Sequence, residues 1–99
     1  MKFLAQEKEI PGVIDKKFTP EILKAEATRA WKLYQDGIIR EMYFRADRHE
    51  AILLLECASL EEAQVTLASL PLVQKGLIAF DIAPLIPYDG FARLFHNDT

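Results

Sequence analysis

The sequence predicts an α+β domain in which a four-stranded antiparallel sheet carries two helices on one face. Three observations lead there. The hydrophobic pattern switches period in the order strand, helix, strand, strand, helix, strand along the 99 residues. Both helical segments open on recognisable caps. The later strands are apolar on both sides, so the sheet face that the helices leave free needs a cover.

Residues 2–9 alternate as a first strand, and Pro11-Gly12 breaks it. Residues 13–18 then read as an irregular surface connection. At Thr19-Pro20-Glu21 a helix starts. Thr caps it, Pro at the first position lacks an N–H that would have no partner anyway, and Glu complements the helix dipole. The stripe Leu23, Ala27, Ala30, Trp31 and Tyr34 marks the face expected to turn toward the sheet, which makes Trp31 and Tyr34 core aromatics. Asp36-Gly37 ends the helix.

Residues 38–46 and 51–57 read as a hairpin turning through Asp47-Arg48-His49-Glu50. A turn about Arg48 sets Leu54 opposite Glu41 and Glu50 opposite Arg45, where an ion pair is expected. Ser59-Leu60-Glu61-Glu62 is a capping box opening the second helix, whose stripe is Leu60, Ala63, Leu67 and Leu70. Pro71 limits that helix, and Gly76 precedes a last strand over 77–83. Pro84 and Pro87 are expected to end regular pairing. Two right-handed crossovers around a hairpin give the ferredoxin-like βαββαβ arrangement. Residues 1–99 read as one domain with its core in 2–86, and the apolar tail 87–99 docks on that core or on a partner.

Alternation separates the two faces of the sheet. Ala51, Leu53, Leu55 and Cys57 share one side of the third strand, and Ile52, Leu54 and Glu56 the other. In the last strand Ile78, Phe80 and Ile82 oppose Leu77, Ala79, Asp81 and Ala83. Two helices cover only one face, so the other points to a homodimer or a larger assembly of dimers.

Composition excludes several classes. The charge is −3, from 12 basic and 15 acidic residues mixed along the chain, with no basic stripe for a phosphate backbone. No apolar run approaches the roughly 20 residues that span a bilayer. The start turns charged too soon for a signal peptide, so a cytoplasmic location is expected. Cys57 is the single cysteine and reads as a small buried hydrophobe. His49 and His96 lack ligand spacing, so no metal is expected, and no glycine-rich loop cradles a nucleotide.

The second strand carries the most polar information. Glu41, Tyr43 and Arg45 share one side, with Arg40, Met42 and Phe44 on the other. Such a Glu, Tyr and Arg beside apolar neighbours suit an anionic or carbonyl-bearing ligand. A desolvated Glu41 would gain a raised pKa and serve as general base or acid. Asp81 is a candidate for the same cavity or for a pair across an interface. The structural alternative makes Arg45–Glu50 an ordinary ion pair and leaves Glu41 at an exposed edge.

Short motifs add a family resemblance: Leu23-Lys24-Ala25-Glu26, Asp36-Gly37 followed by Arg40, and Ser69-Leu70-Pro71-Leu72 with Asp81-Ile82 and Pro84-Leu85 beyond. With these the chain resembles a bacterial branch of the muconolactone isomerase-like group of dimeric α/β-barrel proteins. The resemblance implies subunits paired sheet to sheet. It also implies cofactor-free proton transfer that shifts a double bond in a lactone of aromatic-compound breakdown. The chain departs from those isomerases at the second strand. Glu41 stands where they carry His, Tyr43 where they carry Trp, and Phe44 where they carry Arg, with Arg45 displaced by one. Ala27 replaces a second acidic residue in the helix motif, and the segment between Leu72 and Asp81 is longer. The resulting expectation is an isomerase-like small-molecule protein, with Glu41 shuttling a proton, Arg40 or Arg45 holding a carboxylate and Tyr43 shaping the wall. A non-catalytic oligomeric ligand-binding or scaffold protein, and a cofactor-free monooxygenase-like enzyme, remain open beside it.

Overall fold

The computed structural model describes residues 1–95. Strands β1 (Lys2–Glu9), β2 (Ile39–Phe44), β3 (Ala51–Glu56) and β4 (Ile78–Leu85) form one sheet in the order β2-β3-β1-β4, all pairs antiparallel. Helix α1 (Pro20–Gln35) crosses from β1 to β2, and α2 (Leu60–Ala68) with the short α3 (Pro71–Gln74) leads from β3 to β4. The expected ferredoxin-like α+β fold is the one observed, with the second helical segment broken into two pieces by Pro71.

The caps act as the sequence indicates. Thr19 Oγ1 accepts the Ile22 amide at 3.3 Å, and Ser59 Oγ accepts the Glu62 amide at 3.1 Å. The reciprocal contact of Glu62 goes one residue further back, to the Ala58 amide at 2.7 Å. Gly37, at φ +77°, supplies the left-handed turn that closes α1.

Register fixes which side chains meet. Phe3 lies opposite Leu55 and Pro84, Ala5 opposite Leu53 and Ile82, and Glu7 opposite Phe80. The helix-facing side therefore holds Phe3, Ala5, Leu53 and Leu55, which join Leu33, Ile39, Cys57, Ala63, Leu67 and Leu70 in the main core. A second cluster, Leu72, Leu77 and Ile78, closes the far end with Val13, Phe18 and Ile22 around it. Truncating Phe3 to Ala would cost about 3–5 kcal/mol, the usual loss for a buried phenyl ring.

The opposite side of the sheet has no cover among the described residues. Leu4, Ile52, Leu54, Ala79 and Ala83 form an apolar strip, with Lys8–Asp81 at 2.8 Å and Lys2–Glu56 at 3.1 Å beside it. The N-terminal ammonium also pairs with Glu56.

Four expectations need correction. Helix α1 turns Ile22, Glu26, Ala30 and Leu33 inward, so its buried stripe is rotated by about one residue from the sequence reading. Trp31 and Tyr34 are consequently 59% and 48% exposed and stack on each other rather than filling the core. Leu60, expected in the buried stripe of the second helix, is exposed. Arg45 pairs with Asp47 at 2.6 Å, within the turn, while the buried Glu50 pairs with Arg48 at 2.9 Å. Finally, β4 runs through Pro84 to Leu85, because β4 is an edge strand and an edge tolerates a missing N–H.

Beyond β4 the chain leaves the sheet. A single turn at Gly90–Leu94 carries Phe91 and Leu94, and the Tyr88 ring meets Phe91 edge-on at 4.9 Å. Neither buried cluster includes a residue from this segment. The described residues span 63 × 29 × 22 Å with a radius of gyration of 16.7 Å, against about 13 Å for a compact chain of this length. Ile86, Tyr88, Phe91, Leu94 and Phe95 are all exposed. The distal tail, including His96, lies outside the described residues.

Candidate functional site

The edge strand β2 and the outer flank of α1 enclose a groove of about 620 Å³. Ala27 and Ala30 keep the helix side low, and Trp31 and Tyr34, 5.9 Å between ring centroids, form an aromatic wall. The strand side consists of Arg40, Glu41, Met42 and Tyr43. A register shift between Ile39 and Glu41 places Arg40 as the extra residue of a bulge. Bulges re-aim side chains beside sites, and here Arg40 Nε turns back to donate to the Gly37 carbonyl at 2.7 Å.

Three of the residues singled out from the sequence thus meet in one place. Tyr43 Oη donates to Glu41 Oε1 at 2.7 Å, and that bond holds the Tyr43 hydroxyl above its ordinary pKa. Glu41 lies opposite Leu54 and Tyr43 opposite Ile52, so both stand at the rim between the groove and the uncovered sheet face. Both are exposed in the single chain. Arg45 and Asp81 are not part of this groove. Arg45 is committed to Asp47 in the hairpin turn, and Asp81 lies on β4 at the opposite edge of the sheet. Three strand spacings, roughly 14 Å, separate the two edges.

A second group of acids was missed from the sequence. Glu7 and Glu26 face the space between helices and sheet, and burial is the main force raising both carboxyl pKa values. Glu7 Oε1 accepts the Ala51 amide at 2.9 Å, and Glu26 Oε1 accepts the Leu72 amide at 2.9 Å. Each amide bond partly offsets the burial, while the Glu7 charge pushes Glu26 further upward. Nearby, Arg29 Nε donates to Ser69 Oγ at 3.0 Å. In the sequence Glu26 is one of several charges along a mixed helix, named only within the Leu23-Lys24-Ala25-Glu26 motif, and nothing local places it inward.

Cys57 is buried, and burial raises its thiol pKa, the opposite of what a reactive thiolate needs. His49 stacks on Phe44 at 3.9 Å. Among the described residues no three His, Cys, Asp or Glu side chains gather as metal ligands, and no helix is long and apolar enough to cross a membrane.

Comparison with solved structures now places this geometry. A crystal structure of muconolactone isomerase superposes with a TM-score of 0.71 at 20% identity, covering 90% of this chain and 92% of that one. The fold is muconolactone isomerase-like. A second structure of this fold is the 5-chloro-2-hydroxyhydroquinone dehydrochlorinase of Burkholderia phenoliruptrix AC1100 in complex with 2,5-dihydroxybenzoquinone. It superposes with a TM-score of 0.67 at 18% identity, covering 91% of this chain and 98% of that one. No protein-family model matches the sequence, and no curated protein matches it. Two of the motifs behind the resemblance touch here. Glu26 of the helix motif binds Leu72 of the Ser69-Leu70-Pro71-Leu72 motif, so in this chain these residues dock α1 on α3.

Proposed function

We propose that the chain is a small-molecule protein of the isomerase type, moving a proton on a lactone or quinol-like substrate without a cofactor. One observation carries this reading: Arg40, Glu41 and Tyr43 line a single groove of about 620 Å³ with a stacked Trp–Tyr wall. The volume falls in the range of small-ligand pockets. The ring pair suits a flat unsaturated substrate. Glu41 is the base in this reading, its hydrogen bond from Tyr43 fixing the carboxylate at the groove rim. Arg40 supplies positive charge for a substrate carboxylate.

Self-association belongs to the same proposal. A second copy laid on the strip of Leu4, Ile52, Leu54 and Ala83 would also remove water from Glu41 and Tyr43, which share that face. Excluding water there strengthens the contacts that charged groups at the rim make with a bound substrate. The resemblance to two enzymes that act on ring compounds supports the substrate class.

Trp31 is the only tryptophan and lines the groove, so its fluorescence reports occupancy directly. The test is a panel of carboxylate-bearing unsaturated lactones and hydroxyquinols, read by Trp31 quenching and by absorbance change. Binding with turnover is expected, and Glu41→Gln is expected to lower kcat by about 10²- to 10⁴-fold. Full turnover in Glu41→Gln would remove Glu41 as the base. Quenching without turnover across the panel would favour a binding protein instead.

Glu7 and Glu26, which accept the Ala51 and Leu72 amides in the space between helices and sheet, offer a second location for the proton transfer. Glu7 and Glu26 are carboxyls already raised by burial in the single chain. Loss of turnover in Glu26→Gln with full turnover in Glu41→Gln would move the chemistry to that pair.

A further inference from the structure

A second cavity, of about 700 Å³, opens at the far corner of the molecule between the β1–α1 connection, the start of α1 and the end of α3. Val13, Ile14, Ile22, Ala25, Pro71 and Leu77 supply its apolar lining, beside Thr19 and three charged residues. Val13, Ile22 and Leu77 belong to the second core cluster or pack on it, so the cavity floor is fixed structure rather than a loose flap. Gly12 and Gly76, at φ +85° and +70°, sit on the lining, and a Cβ built on either would meet nothing within 4 Å. A side chain at either position would enter open space.

Charge distinguishes this cavity from an ordinary crevice. Lys17 and Lys75 line it from opposite segments, and Glu21 is the only acid among the lining residues. Two lysines against one glutamate leave a local charge of +1, in a chain whose net charge is −3. Lys2, Lys8, Lys32, Arg45 and Arg48 are each held in an ion pair. Among the described residues Lys17 and Lys75, like Lys16, Lys24 and Arg93, have neither an ion pair nor a side-chain hydrogen bond, and of these five only Lys17 and Lys75 line the cavity. Two lysines on the lining of a cavity with an apolar floor match a molecule with one anionic head and an apolar body.

We propose that this cavity binds a monoanionic amphiphile, a carboxylate carrying a medium-length alkyl or aromatic body. The apolar body rests on Val13, Ile22 and Leu77, and the carboxylate sits between Lys17 and Lys75. The cavity is separate from the α1–β2 groove, which shares none of its lining residues. This inference therefore stands independently of the proposed reaction.

Decanoate, decanol and decyltrimethylammonium, each below its micelle concentration, are the probes. Affinity is read by titration calorimetry and location by amide NMR shifts. Decanoate is expected to bind at least tenfold more tightly than either other probe. It is expected to shift the Gly12 and Gly76 amides, leave Gly37 unmoved and leave Trp31 fluorescence unchanged. The double variant Lys17→Gln, Lys75→Gln changes two exposed side chains and is expected to keep its circular dichroism and Tm. It should lose at least tenfold in decanoate affinity while keeping any groove ligand. Equal binding of decanol and decanoate would overturn the proposal. So would shifts confined to Gly37 and the sheet, unaltered affinity in the double variant, or no decanoate binding.

Discussion

The Glu26 carboxylate accepts the Leu72 amide hydrogen at 2.9 Å, across 46 residues of sequence, and thereby ties α1 to the first turn of α3. A helix start leaves its first amides without intrahelical partners, and a carboxylate is their favoured acceptor. The same placement half-buries a charged group. Glu26 is thus both a tether and a carboxyl with a raised pKa.

Substitution separates those two roles. Glu26→Gln keeps an acceptor for Leu72 and removes the buried charge, so Tm at neutral pH should hold or rise by roughly 2–5 °C. Glu26→Ala leaves the amide without its partner and should cost about 1–2 kcal/mol in urea unfolding. The raised folded-state pKa also sets a sign. Its contribution is fully present below the ordinary value of 4.5 and is lost as pH rises through the folded-state value. The stability gap between Glu26→Gln and the parent should therefore widen with rising pH across that window.

Glu56 works in the opposite sense. The N-terminal ammonium and Lys2 draw its pKa from 4.5 to about 2. Its contribution is present above 4.5 and disappears as pH falls toward 2. Acid titrations of unfolding should show Glu56→Gln less stable than the parent at pH 7 and equal to it below pH 2.

The face of α1 is tested by two leucines. Leu33 is 2% exposed and Leu23 is 46% exposed. Leu33→Ala should cost about 2–5 kcal/mol by opening a core cavity, and Leu23→Ala about 1 kcal/mol or less. Comparable losses at both positions would contradict the observed face.

That pair also marks where the sequence was readable. Strand alternation, the Glu41–Leu54 register and the Thr19 and Ser59 caps depend on neighbours a few residues away or on a strict two-residue period. All were legible. The inward face of α1 was not, because its true stripe includes Glu26 and Arg29, whose partners Leu72 and Ser69 lie at least 40 residues on. Leu23, Trp31 and Tyr34 made the more apolar stripe, although they face outward. The same rotation puts Trp31 and Tyr34 on the groove wall, not in the core that their spacing predicts. Arg45 chose Asp47 over Glu50 because the turn brings that carboxylate within reach of two guanidinium nitrogens, at 2.9 and 2.6 Å.

The uncovered sheet face predicts an assembly. At micromolar concentration the parent chain should run as a dimer or larger species in light scattering. Leu54→Glu places a charge in the middle of the apolar strip and should weaken association at least tenfold without unfolding the chain. A monomeric parent would refute the expectation.

The central position of β1 has a bearing on how the chain emerges from the ribosome. Phe3 finds its partners at Leu55 and Pro84, so β1 is flanked on both sides by strands synthesised after it. While the tunnel still holds residues 51–56, the nascent β1 offers both of its edges unpaired. The hairpin of β2 and β3 can close on its own, but it must then wait for β1 to slot against it and for β4 to seal the other side. Long-range pairing of this kind slows folding relative to helical chains of similar size. Exposed edges in the interval favour premature contact between neighbouring nascent chains. The alternating charges Lys2, Glu7, Lys8 and Glu9 on that same strand would then serve as gatekeepers during synthesis, before any of them forms its contact in the finished sheet.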